Sequence, residues 1–274
     1  MIPFQIQMRK ISILGCGWLG LPLAKTLLEK GFSINGSTTS PDKISVLREA
    51  GINPFLLAVN SGNIEGEIIS FLKDCEILII DIPPKLRGEN AESFIEKMEI
   101  LLPFIEQSDV QKVIFISSTS VYSDDNAIIS EDSIAKPDSQ NGIQLHSAEN
   151  LLRQNTAFQT TVIRFGGLIG DDRHPVKYLA GKKNIENPEV PVNLIHQKDC
   201  IGIILEIIQK ESWNETYNAV APFHPTRKEY YEQKATEFHL ASPEFEASNS
   251  QKGKIISSAK VENLLGYSFF YPNL

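Results

Sequence analysis

The sequence predicts an α/β protein built on a doubly wound parallel sheet, and three observations predict it. From residue 1 to residue 170, short apolar runs alternate with segments of helical periodicity, the pattern of successive strand–helix–strand units. Within Glu76–Ile82 the apolar run is continuous, as in a strand buried on both faces by flanking helices. Between the first strand and the first helix lies Gly15-Cys16-Gly17-Trp18-Leu19-Gly20, a glycine-spaced turn.

The elements follow in order. Lys10–Leu14 reads as the first strand, and Leu21–Lys30 as a helix closed by Gly31, which tolerates the left-handed backbone of a helix end. Phe32–Thr38 is the second strand. Ser40 and Pro41 then read as an N-cap and first-turn proline for a helix reaching Ala50. Pro54–Ala58 is the third strand, followed by a short polar helix near residue 66. After the fourth strand at Glu76–Ile82, a long helix over Glu92–Ile105 places Phe94, Ile95, Met98, Leu101, Leu102 and Ile105 at helical spacing, and Pro103 is expected to bend or shorten its last turn. Lys112–Ser117 and Thr160–Phe165 are the fifth and sixth strands, with Ala148–Gln154 helical between them. The remainder is less regular. Proline-rich stretches at 175–192 and 222–225 flank helices at Asp199–Gln209 and Arg227–Phe238. The expected organisation is a dinucleotide-binding domain over residues 1–170 and a small α+β substrate lobe over 171–274, with excursions returning to the sheet.

The bulk composition narrows the function. The chain has 274 residues, a formal charge of −8 and 42% apolar residues, enough for a real core. Its acidity, with no basic block, argues against nucleic-acid binding but leaves room for an anion in a local pocket. Three widely spaced cysteines, Cys16, Cys75 and Cys200, suggest neither a metal site nor a disulfide framework and fit a reducing compartment. No apolar stretch reaches the ~20 residues of a membrane span. The opening residues are too short and too weakly apolar for a secretory signal, and Met1 and Met8 both stand open as the first residue. The expectation is a cytoplasmic protein with a small-molecule ligand, no nucleic acid and no membrane, and its oligomeric state is not readable.

The glycine turn carries the first chemistry. Gly15 permits the tight strand-to-helix turn, Gly17 lets the backbone approach a pyrophosphate, and Gly20 lets the helix pack close to the strand. Trp18 and Leu19 lie between them, at a helix N-terminus whose unpaired N–H groups and positive dipole end favour phosphates. In this strand–turn–helix context it reads as the turn of a Rossmann-type dinucleotide site, with a merely structural turn as the alternative. A carboxylate for the adenosine ribose is expected about 20 residues further on when the cofactor is NAD. Here the second strand ends in Thr38, Thr39 and Ser40, with Lys43 nearby. Hydroxyls and a lysine accept a 2′-phosphate that a carboxylate would repel, so the expected cofactor is NADP, with NAD as the alternative; Ser40 as a mere helix cap and Lys43 as a solvated charge are the plainer reading. Ile82, Pro83 and Pro84 end the fourth strand, where the carboxyl ends of strands line the ligand crevice. Asp81 there is either functional or a turn cap. Cys16 is either a thiol activated by the helix end or a small residue tolerated beside the glycines.

The fifth strand ends Ser117-Ser118-Thr119-Ser120-Val121-Tyr122. Together with the glycine turn, Arg164-Phe-Gly-Gly-Leu-Ile-Gly170 and Asn193-Leu-Ile-His196-x-x-Asp199, it resembles the extended short-chain dehydrogenase/reductases, the NAD-dependent epimerase/dehydratase family, over nearly the whole chain in order. The resemblance is to the atypical, shorter branch. It implies Ser117 beside the cofactor and Ser118 at the family's catalytic serine. It also implies a tyrosine, and a lysine four residues later that lowers the tyrosine's pKa for proton exchange. Counting back from Glu149 puts Asn141 and Leu145 at those positions, and no tyrosine occurs between Tyr122 and Tyr178. Tyr122 and His146 are the candidate replacements; His146 as a surface or capping residue is the plainer reading. The spacings Tyr178–Lys182 and Tyr230–Lys234 fall elsewhere in the pattern. His196 and Asp199 imply a structural turn, with Asp199 capping the next helix. Arg173 and His174 are either anion-holding groups of a substrate loop or loop decoration. Two functions stay open: an oxidoreductase or epimerase-like enzyme on a polar or nucleotide-linked metabolite, and a non-catalytic NADP-binding sensor or partner module.

Overall fold

A computed structural model describes residues 9–84, 92–124, 127–247 and 253–274; Met1 and Met8 lie outside the described residues. Packing divides the chain into two compact units. The first comprises Met1–Ser117, Ser139–Ile163 and Ile207–Thr216, and the second Ser118–Asp138, Arg164–Glu206 and Tyr217–Leu274. The chain therefore passes between them several times, whereas the sequence reading drew one boundary at residue 170.

The first unit carries the sheet. Its elements run β1 (Lys10–Leu14), α1 (Gly20–Glu29), β2 (Ser33–Thr38), α2 (Lys43–Glu49), β3 (Asn53–Leu56), a small hairpin β4 (Ala58–Val59) and β5 (Ile64–Glu65), α3 (Ile68–Leu72), β6 (Ile77–Ile80), α4 (Phe94–Glu106) and β7 (Lys112–Ser118). After β8 (Ile128–Ile129), which belongs to the second unit, come α5 (Gln140–Gln154) and β9 (Gln159–Phe165). The seven-stranded parallel sheet has the order β12-β9-β7-β6-β1-β2-β3, where β12 is Thr216–Ala219. The order reverses between β1 and β6, which pair in parallel with Ile11 opposite Ile77 and Leu14 opposite Ile80. That junction is the switch point of a doubly wound sheet, where ligands bind. All four residues of β6 are buried, as its uninterrupted apolar sequence requires. Helix α1 buries Leu23, Ala24 and Leu27 at helical spacing.

Several local expectations are corrected. Helix α2 begins at Lys43, with Asp42 at its N-cap and no side-chain cap bond. Ser40 and Pro41 form the preceding turn, their carbonyls accepting from the N–H groups of Lys43 and Ile44. The short helix begins at Ile68 and is apolar, burying Ile68, Phe71 and Leu72. Helix α4 runs through Pro103 to Glu106 because the proline lies in its last turn, where little of the ladder remains to be broken. Helix α5 starts eight residues before the predicted Ala148. Its first turn is held by the Ser139 hydroxyl, which accepts from Gly142 N–H at 3.2 Å, an N-cap that outweighs the poor helical composition of Gln140–Gly142.

The second unit contains β8, β10 (Gly167–Ile169), α6 (Val176–Leu179), β11 (Leu194–His196), most of α7 (Gln197–Gln209), α8 (Arg227–Glu237), β13 (Ile255–Ile256) and α9 (Ala259–Leu265). One core joins Ile169, Val176, Leu194, Tyr230 and Tyr231. Asp199 does not cap α7. Its buried carboxylate accepts from Tyr267 Oη at 2.9 Å and from the N–H groups of Phe270 and Tyr271 at 2.7 and 3.1 Å, tying down the C-terminal segment. The cap role falls to His196, whose Nδ1 accepts from Lys198 N–H.

His174 is likewise no anion ligand. It is buried, its Nδ1 accepts from Val176 N–H, and its Nε2 lies 2.9 Å from Tyr230 Oη. Burial, reinforced by Lys234 and Lys177, pushes its pKa down to about 4. Arg173 stays exposed. Between the unfolded value near 6.5 and this folded value, the unfolded chain binds a proton that the folded chain refuses, so stability rises with pH across that window. We expect the urea midpoint to fall as pH drops from about 7 to about 4.5, and His174→Gln to flatten part of that slope. An unchanged slope in the variant would refute the assignment.

Candidate functional site

At the switch point the turn after β1 comes into contact with the end of β6. Gly15 has φ +108°, and a side chain there would collide with the carbonyl of Asp81; a side chain on Gly20 would collide with the carbonyl of Gly15. Both positions need glycine for close approach. Gly17 differs: a Cβ built on it meets nothing within 4 Å, and the residue is exposed. The turn is fixed from below by Ser37, whose hydroxyl accepts from Gly15 N–H at 2.9 Å and whose carbonyl accepts from Cys16 N–H at 2.8 Å.

Above the turn opens a pocket of about 250 Å³. It gathers Gly15, Gly17, Thr38, Thr39, Lys43, Ile82 and Pro83 from the sequence-derived set. Trp18, Leu19, Gly20, Ser40, Pro84 and Ser117 are not in its lining. Leu19 and Gly20 are buried beneath the turn, and Ser40 donates its N–H to Thr38 Oγ1. Asp81 also lines the pocket. Burial raises its carboxyl to about 7, against the opposing effect of the Gly20 N–H it accepts. It is therefore a cap on the start of α1 as well as a pocket wall. Cys16 is buried, and burial, followed by the Asp81 charge, pushes its thiol up to about 12. The protonated thiol is no nucleophile.

Sequence reasoning missed Val59 and Asn60, brought in by the β4–β5 hairpin, and the pair Glu92–Lys97. Lys97 sits on α4 between Phe94 and Leu101, within the buried face. A lysine on an apolar stripe was the available signal.

Ser117 belongs to a different cluster in the first unit. Its hydroxyl donates to the buried Glu149 at 2.5 Å. The other carboxylate oxygen of Glu149 lies 3.6 Å from His146 Nδ1, and His146 Nε2 is 3.3 Å from Asn150 Nδ2. Helix α5 carries Asn141 in its first turn and buries Leu145. Ser118 and Tyr122 fall in the second unit. The Ser118 hydroxyl accepts from Ser120 N–H. Tyr122 is buried; its hydroxyl bonds to Arg164 and Asn218 at 2.5 and 2.9 Å, and the Arg164 guanidinium lies 4.9 Å from its ring centre. Burial raises its pKa against the pull of Arg164. The phenol read as a proton donor is a packed anchor.

No protein-family model matches the chain. It is 34% identical to Protein YeeZ of Escherichia coli strain K12 over 268 residues, 97% of each chain. The chain belongs to the family of Protein YeeZ. A solved structure of a functionally unknown conserved protein from Silicibacter pomeroyi DSS superposes with a TM-score of 0.80 at 20% identity, over 97% of this chain and 95% of that one. UDP-glucuronic acid 4-epimerase from Bacillus cereus, solved in complex with NAD, superposes with a TM-score of 0.79 at 19% identity, over 94% and 93%. The fold is that of the NAD-dependent epimerase/dehydratase and short-chain dehydrogenase/reductase proteins.

The glycines make a differential prediction. Gly20→Ala should lower unfolding stability by about 2 kcal/mol, since its Cβ meets a backbone carbonyl that cannot move aside. Gly17→Ala should stay within about 0.5 kcal/mol of the parent. Equal urea midpoints for the two variants would contradict the packing described.

Proposed function

We propose that this chain binds a nicotinamide dinucleotide, NADP in preference to NAD, and acts as an oxidoreductase or epimerase-like enzyme on a polar or nucleotide-linked metabolite. The observation that carries the reading is the turn itself. Gly15 and Gly20 are packed against backbone, while Gly17 faces open space beside the pocket at the switch point. That is a cradle into which a phosphate fits and a side chain would intrude. The fold shared with epimerase/dehydratase proteins supports the same reading.

The cofactor preference rests on the end of β2. Thr38, Thr39 and Lys43 line the pocket there, and no carboxylate ends the strand. A 2′-phosphate adds a charge that hydroxyl donors and a lysine can hold. We expect calorimetric titration to give tighter binding of NADP than of NAD, and Gly17→Val to abolish both. Equal affinity, or preference for NAD, would overturn the NADP assignment and leave the dinucleotide site standing.

When bound, the nicotinamide supplies hydride transfer; the chain must supply the proton exchange. Asn141 and Leu145 cannot do so, and Tyr122 is held in buried hydrogen bonds. His146 is the candidate proton-exchanging side chain, with the Glu149 carboxylate near its Nδ1 and the Ser117 hydroxyl donating to Glu149. With a substrate found by screening nucleotide sugars against NADPH absorbance, turnover should drop about 100-fold in His146→Gln and survive in Tyr122→Phe. A second reading, a non-catalytic sensor or partner module, is favoured by the same buried Tyr122. Restoring Asn141→Tyr with Leu145→Lys separates the two. Activity gained only in the restored chain assigns the parent to the sensor class.

A further inference from the structure

The pocket holds a buried cation that the dinucleotide reading does not use. Lys97, in the first turn and a half of α4, has a side chain only 6% exposed. Its Nζ lies 2.5 Å from Glu92 Oε2, and both residues line the pocket with Gly17, Thr38 and Asn60. Glu92 is the more exposed partner at 30%, and its other oxygen accepts from Ser61 N–H at 3.4 Å. The same carboxylate thus touches α4 on one side and the β4–β5 turn on the other.

A cation this buried must keep an anion beside it, because an ammonium without a partner in low dielectric is strongly disfavoured. Among the described residues, the acids of the lining are Glu92 and Asp81 and its cations are Lys43 and Lys97. Entry of a phosphorylated ligand therefore brings negative charge next to Glu92. Repulsion of the carboxylate and attraction to the ammonium act in the same direction. Glu92 is the partner nearer to water, and Lys97 lies on the buried face of α4.

We propose that Lys97 is a phosphate-binding residue masked by Glu92 in the free chain, and that a ligand phosphate takes the place of the Glu92 carboxylate when a dinucleotide binds. This rests on the dinucleotide reading of the pocket. It adds a competition: Glu92 is a built-in anion that the ligand must displace, so Glu92 weakens binding and Lys97 strengthens it. No covalent step is involved.

The test is calorimetric titration of the full chain with NADP and with NAD, using the parent, Glu92→Gln, Lys97→Met and Lys97→Arg, with thermal melts showing that each variant folds. Lys97→Met should weaken binding of both dinucleotides by about tenfold or more, the loss of one charge-assisted contact. Lys97→Arg should retain most of the affinity, which separates lost charge from lost packing. Glu92→Gln should strengthen binding by about threefold or more, because the competing charge is gone. Unchanged affinity in Lys97→Met, or weaker binding in Glu92→Gln, overturns the proposal even if Gly17→Val still abolishes binding. Titration with ADP and adenosine fixes the contact. A Lys97→Met loss confined to ADP supports a phosphate partner, and an equal loss for adenosine overturns it in favour of a base contact. If the parent binds neither dinucleotide, the reading of the pocket and this inference fall together.

Discussion

The structure turns on one close approach. The carbonyl of Asp81, at the end of β6, occupies the space that a side chain on Gly15 would need, and the carbonyl of Gly15 occupies that of Gly20. The bond from Asp81 N–H to Leu14 carbonyl continues the β1–β6 ladder to this point. Strand, turn, helix and neighbouring strand are thereby pressed together without side chains between them. Only such contact lets the start of α1 stand at the switch point with Gly17 left facing open space. The same compression buries Asp81 and Cys16, and that burial explains both raised pKa values. One packing fact accounts for the shape of the cradle and the chemistry of its walls.

The opposite ends of the central strands are fastened by a different means. Arg9, just before β1, pairs with Glu76 at 2.8 Å and Glu211 at 2.6 Å; Lys112, the first residue of β7, reaches the same two carboxylates at 3.0 and 2.7 Å. Three strand starts are linked through one charge network. Isolated exposed pairs contribute little, but a shared network of half-buried groups fixes geometry more firmly than its members would alone. Between the two ends runs a short polar chain. Ser12 and Asn35 both donate to the Phe71 carbonyl, and Asn53 donates to Asn35. The buried Ser12 and Asn35 hold β1 and β2 in register beneath α3, since a slip would leave both unsatisfied.

What was legible in the sequence was what depends on near neighbours. The first strand, the glycine turn and the apolar run of β6 are local patterns, and they appear at the expected residues. The start of α5 was hidden because a single cap, Ser139, decides it against poor composition. The start of α2 was misplaced for the opposite reason: a serine and a proline of good capping type spend their carbonyls on a turn instead. Distant contacts were not legible at all. Nothing near Asp199 in sequence announces that Tyr267, Phe270 and Tyr271 converge on it, and nothing near His174 announces Tyr230. In the pocket, the glycines and the hydroxyl-rich end of β2 could be read, but Asn60 and Glu92 arrive by tertiary folding. Lys97 was visible only as a polar residue out of place on an apolar stripe.

That misplaced lysine bears on what kind of protein this is. Lys97 is buried on α4 in the same pocket as the glycine turn, where an apolar residue of similar volume would pack as well or better. Leu145 is buried on α5, and the Tyr122 hydroxyl is hydrogen-bonded to Arg164 and Asn218. On the reading proposed above, the buried ammonium of Lys97 bears on anion binding, and the His146–Glu149 pair of the first unit is the point on which an enzymatic role would depend.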